Sequence, residues 1–232
     1  MVKINLLTNS NTVNRNISNL KILKNELFKG SESFIYEAHF LNNNVLIKKR
    51  KPKKYRNSLL DTELRISRLK IESKIIEFSL NNNIAVPTLY GIDLNEAELI
   101  IEFLKGKSLG ELLAEENLIL DQSKIFDYFT KIGTMTSILH NIEIIHGDLT
   151  PFNIFLTNDE KLYLIDFGLS YFSNEVKDKA MDLFIMNSSL KIYNPTIAKQ
   201  IFDSFLKGYS LANQFENIFS YFNLLENKGR YK

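Results

Sequence analysis

The chain has 232 residues, 44% hydrophobic and 24% charged, which suffices for one large domain or two small lobes with a core of their own. It contains no cysteine, so a disulfide framework and a thiolate metal site are both excluded. The net charge is only +2, but it is unevenly spread: KKRKPKKYR, residues 48–56, carries seven basic side chains in nine positions. Residues 1–20 are polar and poorly periodic, a strand or a loose arm, and lack the apolar core of a signal peptide. No apolar run approaches the roughly 20 residues needed to cross a bilayer, so a soluble, cytoplasmic protein without membrane contact is expected.

From Glu26 to Lys48 the pattern reads strand, turn, strand: ELF, the loop KGSES, the alternating FIYEAHF, a turn at LNNN, then VLIK. Residues 58–80 read as a helix with Leu60, Leu64, Leu69, Ile76 and Leu80 among its apolar positions. TLYGID and AELIIEF form a second strand pair, and EFLKGKSL is a connector that leads into a new helix. Asp121 is an N-cap candidate for DQSKIFDYFTKIGTMTSILHN, where Ile125, Phe129, Ile132, Met135 and Leu139 share a face. A short hairpin through TNDEK follows, and residues 175–227 read as three helices split at KIYNP and GYS. Strands first and helices later imply an α+β chain, a small β-rich lobe followed by a helical one.

The chemistry concentrates in HGDLTPFN, residues 146–153, and LYLIDFGLS, where a second carboxylate ends an apolar run. Mg²⁺ takes oxygen ligands and binds through one or two carboxylates together with nucleotide phosphates. Asn153 and Asp166 can supply such oxygens, which leaves Asp148 to accept the proton of an attacking hydroxyl. Read singly, Asp148 caps a turn and Asp166 ends a strand; the order H-x-D-x-x-x-x-N followed by D-F-G argues for joint work on metal-bound ATP.

These motifs resemble the eukaryotic-like protein kinase superfamily. The resemblance implies a bilobal kinase-like fold, with an N-lobe at 1–103 and a reduced helical C-lobe at 104–232. It implies that Lys48 grips the nucleotide phosphates, that Glu72 orients Lys48, and that Glu102 to Leu104 form the hinge beside adenine. Gly30, Ser31 and Glu32 of KGSES fall in the phosphate-covering loop, with one glycine where typical kinases have three. Asp182 falls where the superfamily braces the catalytic-loop backbone, and His146 is expected to pack and hydrogen-bond locally. Gly147 replaces the usual arginine, no APE is present, and nine residues separate Gly168 from Asp178, too few for an ordinary peptide-presenting segment.

Together these departures resemble one family, the small atypical serine/threonine kinase of the KEOPS complex, the p53-related protein kinase type. IKKRKPKKYRNSLLD, RLKIE, HGDLTPFN, LIDFGLS, VKDKAMDLFI and the terminal KGRYK carry that likeness. It implies ATP and Mg²⁺ as cofactors and phosphoryl transfer to a serine or to water. It further implies a place in tRNA threonylcarbamoyladenosine modification. The implied partners are the universal threonylcarbamoyl transferase subunit and a small regulatory subunit on the N-lobe, and in a eukaryote the location is nuclear as well as cytoplasmic. For the run Lys48 to Arg56 three readings stand: a tRNA contact, a nuclear import signal, or a solvated loop. Two rival functions also stand, a small-molecule phosphotransferase using HGDLxxxN and a pseudokinase scaffold.

Overall fold

The computed structural model describes residues 21–22, 28–29, 33–53, 55–115, 121–193 and 195–229. They divide into two compact units, Met1–Glu77 with Pro87–Leu104, and Phe78–Val86 with Lys105–Lys232. The phosphate-loop candidates Gly30, Ser31 and Glu32, Lys54 of the basic run, and the last residues of KGRYK lie outside the described residues.

The first unit is an antiparallel sheet with a helix. Strands β1 (Lys21–Ile22), β3 (Ser33–Phe40), β4 (Asn43–Arg50), β6 (Glu98–Glu102) and β5 (Leu89–Asp93) lie side by side in that order, and β2 (Phe28–Lys29) also pairs with β3. The LNNN turn is tight because Leu41 and Asn42 both adopt left-handed backbone, φ 47° and 65°, as a two-residue hairpin loop requires. Val45 and Ile47 of β4 point one way, into a cluster with Ala38, Phe40 and Ile100. The strand period of two therefore turns Lys48 and Arg50 of β4 to the opposite face.

Helix α1 (Ser58–Asn81) begins where Asn57 Oδ1 accepts from the backbone N–H of Leu59 at 3.0 Å. Its buried face carries Leu69, Glu72, Ser73 and Ile76, spaced at three and four, while Leu60 and Leu64 stay exposed. A buried glutamate on the apolar stripe is the feature that ties this helix to β4.

The second unit is mainly helical. Its long helices are α3 (Gln122–Asn141), α4 (Val176–Tyr193), α5 (Ala198–Tyr209) and α6 (Phe215–Gly229). Asp121 caps α3, its side chain accepting from Ser123 N–H at 3.0 Å. Helices α3 and α5 cross through two glycines: a Cβ on Gly133 would lie 2.0 Å from Phe205 O, and one on Gly208 would lie 1.9 Å from Thr130 O. Phe129, Ile132, Leu139, Phe205 and Tyr209 fill the core around that crossing.

Two small sheets position the polar loops. The connector after Leu104 becomes β7 (Gly106–Ser108), a strand absent from the sequence reading, which pairs with β9 (Ile154–Thr157), itself paired with β10 (Leu162–Leu164). Ser108 then caps the short helix α2 (Leu109–Ala114) in a reciprocal box with Glu111. Finally β8 (Ile144–Ile145) pairs with β11 (Tyr171–Phe172), bracketing both HGDLTPFN and the D-F-G turn.

Candidate functional site

In the first unit the site residues meet at Glu72. Lys48 Nζ donates to Glu72 Oε1 at 2.8 Å, and the Arg50 guanidinium donates to the other carboxylate oxygen. All three are buried, Lys48 to 8% exposure, Arg50 to 6% and Glu72 to 2%. Burying charge costs several kcal/mol per ion unless it is paired, and here two cations share one anion. Glu72 thus fixes the positions of both the Lys48 ammonium and the Arg50 guanidinium.

The basic run is consequently not one surface. Lys48 and Arg50 turn inward with their strand face, whereas Lys49 turns to Glu96 and Glu98, at 2.5 and 3.1 Å. The solvated-loop and tRNA-contact readings thus apply at most to the residues after Arg50. At the expected hinge, Glu102 ends β6 with its N–H donating to Thr88 O at 2.9 Å, and its carboxylate accepts from the Thr88 hydroxyl at 2.9 Å. Leu104 is the last residue of this unit.

In the second unit the structure brings Asp148, Asn153 and Asp166 onto adjoining backbone. Pro151–Asn153 forms a single 3₁₀ turn, which carries Asn153 back over Asp148. Asn153 Nδ2 donates to both the carboxylate and the carbonyl of Asp148, each at 2.8 Å. With its amide nitrogen so committed, the amide oxygen of Asn153 is the atom left to ligate a cation. Ile165 N–H donates to Asn153 O at 2.9 Å, which sets Asp166 beside it. Asp166 holds a left-handed φ of 59° and accepts from Gly168 N–H at 3.1 Å. Aspartate tolerates this left-handed region better than most side chains, because its short carboxylate can bond the backbone two residues on.

Asp182 of α4 braces the catalytic loop, as expected: its carboxylate accepts from the N–H of His146 at 2.7 Å and of Gly147 at 2.9 Å. Gly147 has φ +79°, and a Cβ there would meet Leu169 O at 2.4 Å, so the residue in the arginine position serves backbone geometry. His146 packs locally, its Nε2 on Ile165 O at 3.1 Å and its ring 4.9 Å from Phe167. Burial holds its pKa below the ordinary histidine value despite the nearby carboxylates of Asp182, Asp166 and Asp148.

Sequence reasoning missed the far end of this brace. His140 Nε2 lies 3.1 Å from Asp182 Oδ2, and its Nδ1 lies 2.7 Å from the Tyr209 hydroxyl. Asp182 can only accept, so Nε2 carries the proton and Nδ1 accepts from Tyr209. Burial pushes the Tyr209 phenol up, and it stays a donor. Helices α3, α4 and α5 are thereby tied to one loop; His140 and Tyr209 read in the sequence only as core positions.

Among the described residues no group of three or more His, Cys, Asp or Glu could hold a metal alone. Asn153 and Asp166 form an all-oxygen pair, the donor set that suits Mg²⁺ when phosphate oxygens complete its shell. The residues present fit that ion, and they do not fit zinc.

Comparison with known proteins agrees with this geometry. A protein kinase domain family model matches residues 23–189. A "Probable bifunctional tRNA threonylcarbamoyladenosine biosynthesis protein" of Methanobrevibacter smithii is 35% identical over 221 residues, covering 94% of this chain. The chain spans only 39% of that relative's length, and 38% of a like-named relative from Methanosphaera stadtmanae. Two relatives of similar size are matched nearly whole. The "Probable serine/threonine-protein kinase BUD32 homolog" of Archaeoglobus fulgidus is 34% identical, with 81% of this chain matched to 89% of it. The "EKC/KEOPS complex subunit BUD32" of Enterocytozoon bieneusi is 35% identical, with 78% matched to 90%. The chain belongs to the protein kinase superfamily and, within it, to the KEOPS/Bud32 family of atypical kinases.

Proposed function

We propose that this protein is a Mg-ATP-dependent phosphotransferase and ATPase that supports tRNA threonylcarbamoyladenosine formation in the cytoplasm as a KEOPS subunit. The observation that carries the catalytic reading is the interlock at 148–153: Asn153 turns its amide nitrogen onto Asp148, and its backbone carbonyl accepts from Ile165 N–H, the residue before Asp166. A loop with a purely structural role has no need of two acidic groups and an amide on adjoining backbone.

In this reading Lys48 holds the nucleotide phosphates and Glu72 fixes the Lys48 ammonium. Asn153 and Asp166 would hold Mg²⁺, which when bound would supply charge neutralisation for a transferred phosphoryl group. Asp148 accepts the proton of the attacking hydroxyl, of water or of a serine, and the bond to Asn153 keeps its carboxylate aimed. Gly30, Ser31 and Glu32 cover the phosphates, and the backbone from Glu102 to Leu104 meets adenine.

The bifunctional relatives support the partner assignment, since this chain accounts for well under half of a polypeptide described as making threonylcarbamoyladenosine. The chief partner is then the universal threonylcarbamoyl transferase subunit, with a small regulatory subunit on the N-lobe. Two measurements test the reading together: ATP turnover of the purified chain with and without tRNA, and the same in Asp148→Ala. Loss of turnover in a variant whose unfolding midpoint matches the parent is expected. Undiminished turnover in Asp148→Ala removes the catalytic assignment, and failure of any KEOPS subunit to co-purify removes the pathway assignment.

A further inference from the structure

Lys48 and Arg50 stand two residues apart on β4, so the strand's alternation presents both side chains on the face opposite Val45 and Ile47. Both end on one group, the Glu72 carboxylate of α1: Lys48 Nζ donates to Oε1 at 2.8 Å and Arg50 Nη2 donates to Oε2. Each carboxylate oxygen therefore has a cation of its own, and the carboxylate is held at two points along the strand.

The two contacts differ in how readily they are given up. A lysine ammonium is a point charge on a flexible four-carbon stem, and it can trade one oxygen acceptor for another. An arginine guanidinium is a rigid planar fork. Arg50 is 6% exposed, and its backbone is fixed as well: it pairs with Ser33 across β3, and its N–H donates to Ala97 O at 3.1 Å. Lys48 is the contact that can move, and Arg50 is the one that stays.

Stability alone does not account for Arg50. Its Nε–H is buried without a hydrogen-bond partner among the described residues, which is unfavourable for the fold. Apolar side chains of similar volume often match or better a buried ion pair in stability. The half-satisfied guanidinium is explained by what its other end holds.

The proposed reaction supplies the need. When Lys48 donates to nucleotide phosphates it gives up part of its contact with Glu72, which is only 2% exposed. A buried carboxylate deprived of its cation is costly, and that cost would count against phosphate binding. We propose that Arg50 is a positioning residue for ATP: it keeps Glu72 paired and oriented while Lys48 turns to the phosphates. The inference rests on the catalytic reading above and adds to it the residue that holds Glu72. Arg50 acts through Glu72 and does not itself touch the nucleotide.

The test measures binding of Mg-ATP, and of adenosine, which lacks phosphate, to the full chain by calorimetry. Arg50→Met puts an apolar side chain in place of the guanidinium, and Arg50→Gln serves as a second neutral variant should the first not fold. Either should weaken ATP binding about tenfold while adenosine stays within about twofold of the parent. Arg50→Lys keeps a cation on the same strand face and should hold ATP within about threefold of the parent. In a Glu72→Gln background, Arg50→Met should have no further effect on ATP. ATP affinity equal to the parent's in Arg50→Met overturns the proposal. So does equal weakening of ATP and adenosine, the mark of a merely structural role, or a full loss that persists in the Glu72→Gln background. Undiminished turnover in Asp148→Ala, which leaves Arg50 and Glu72 in place, would instead remove the catalytic reading.

Discussion

Glu72 and Asp182 are both buried carboxylates at the centre of their units, and they solve the same electrostatic problem in opposite ways. Glu72 is met by two long cationic side chains from a neighbouring strand, Lys48 and Arg50. Asp182 is met by two backbone N–H groups and the ring of His140. A side-chain pair can be remade, because Lys48 can exchange part of its contact for a phosphate. A backbone pair cannot, because the N–H groups of His146 and Gly147 are fixed by the loop itself. The difference separates a pairing that can rearrange from one that holds the 146–147 backbone still.

Removing each carboxylate is the strongest way to break that comparison. Asp182→Ala orphans three donors at once and should cost roughly 5 kcal/mol of stability, at about 1–3 kcal/mol per buried unmet group. Hydrogen exchange at the His146 and Gly147 amides should accelerate with it, and unchanged exchange would show that the loop is held otherwise. Glu72→Gln keeps the shape but removes the negative charge that Lys48 and Arg50 share, a loss of roughly 3 kcal/mol by denaturant melt. Added ATP should recover much of that loss in Glu72→Gln and little of the loss in Asp182→Ala. Equal recovery in both would erase the distinction.

A smaller effect sharpens it. Because burial depresses the His146 pKa in the folded state, the unfolded chain binds its proton first as pH falls below about 6.5. Stability should therefore decline on acidification from that point, by up to about 1.4 kcal/mol per pH unit from this one group. In His146→Phe the slope of melting midpoint against pH between 6.5 and 5.5 should flatten. A slope equal to the parent's would place the acid sensitivity elsewhere.

Local features were legible in the sequence where one residue type has few other uses. The Asn-rich turn after Phe40, the Asp121 cap and the HGDLTPFN and D-F-G segments all carry their geometry in their own spacing. The long-range polar contacts were not. Arg50 sits in a run that reads as solvated, and only the alternation of β4 turns it toward a glutamate 22 residues away. His140 and Tyr209 are 69 residues apart and occupy ordinary core positions of two helices, so nothing local signals their bond. Strand β7 has three residues, too short for a periodic signal, and exists because β9 offers it an edge. The left-handed backbone of Asp166 is likewise a tertiary product, imposed by the bond from Ile165 to Asn153 and the turn to Gly168.

On the proposed function, Asn153 and Asp166 present their oxygens to a magnesium ion carried by nucleotide. Titrating Mg²⁺ into the ATP-loaded chain by calorimetry, parent against Asp166→Ala, tests it most directly. Saturable magnesium binding is expected in the parent and its loss in Asp166→Ala, in a chain that still unfolds cooperatively without nucleotide. Magnesium affinity and ATP turnover equal to the parent's in Asp166→Ala would contradict it.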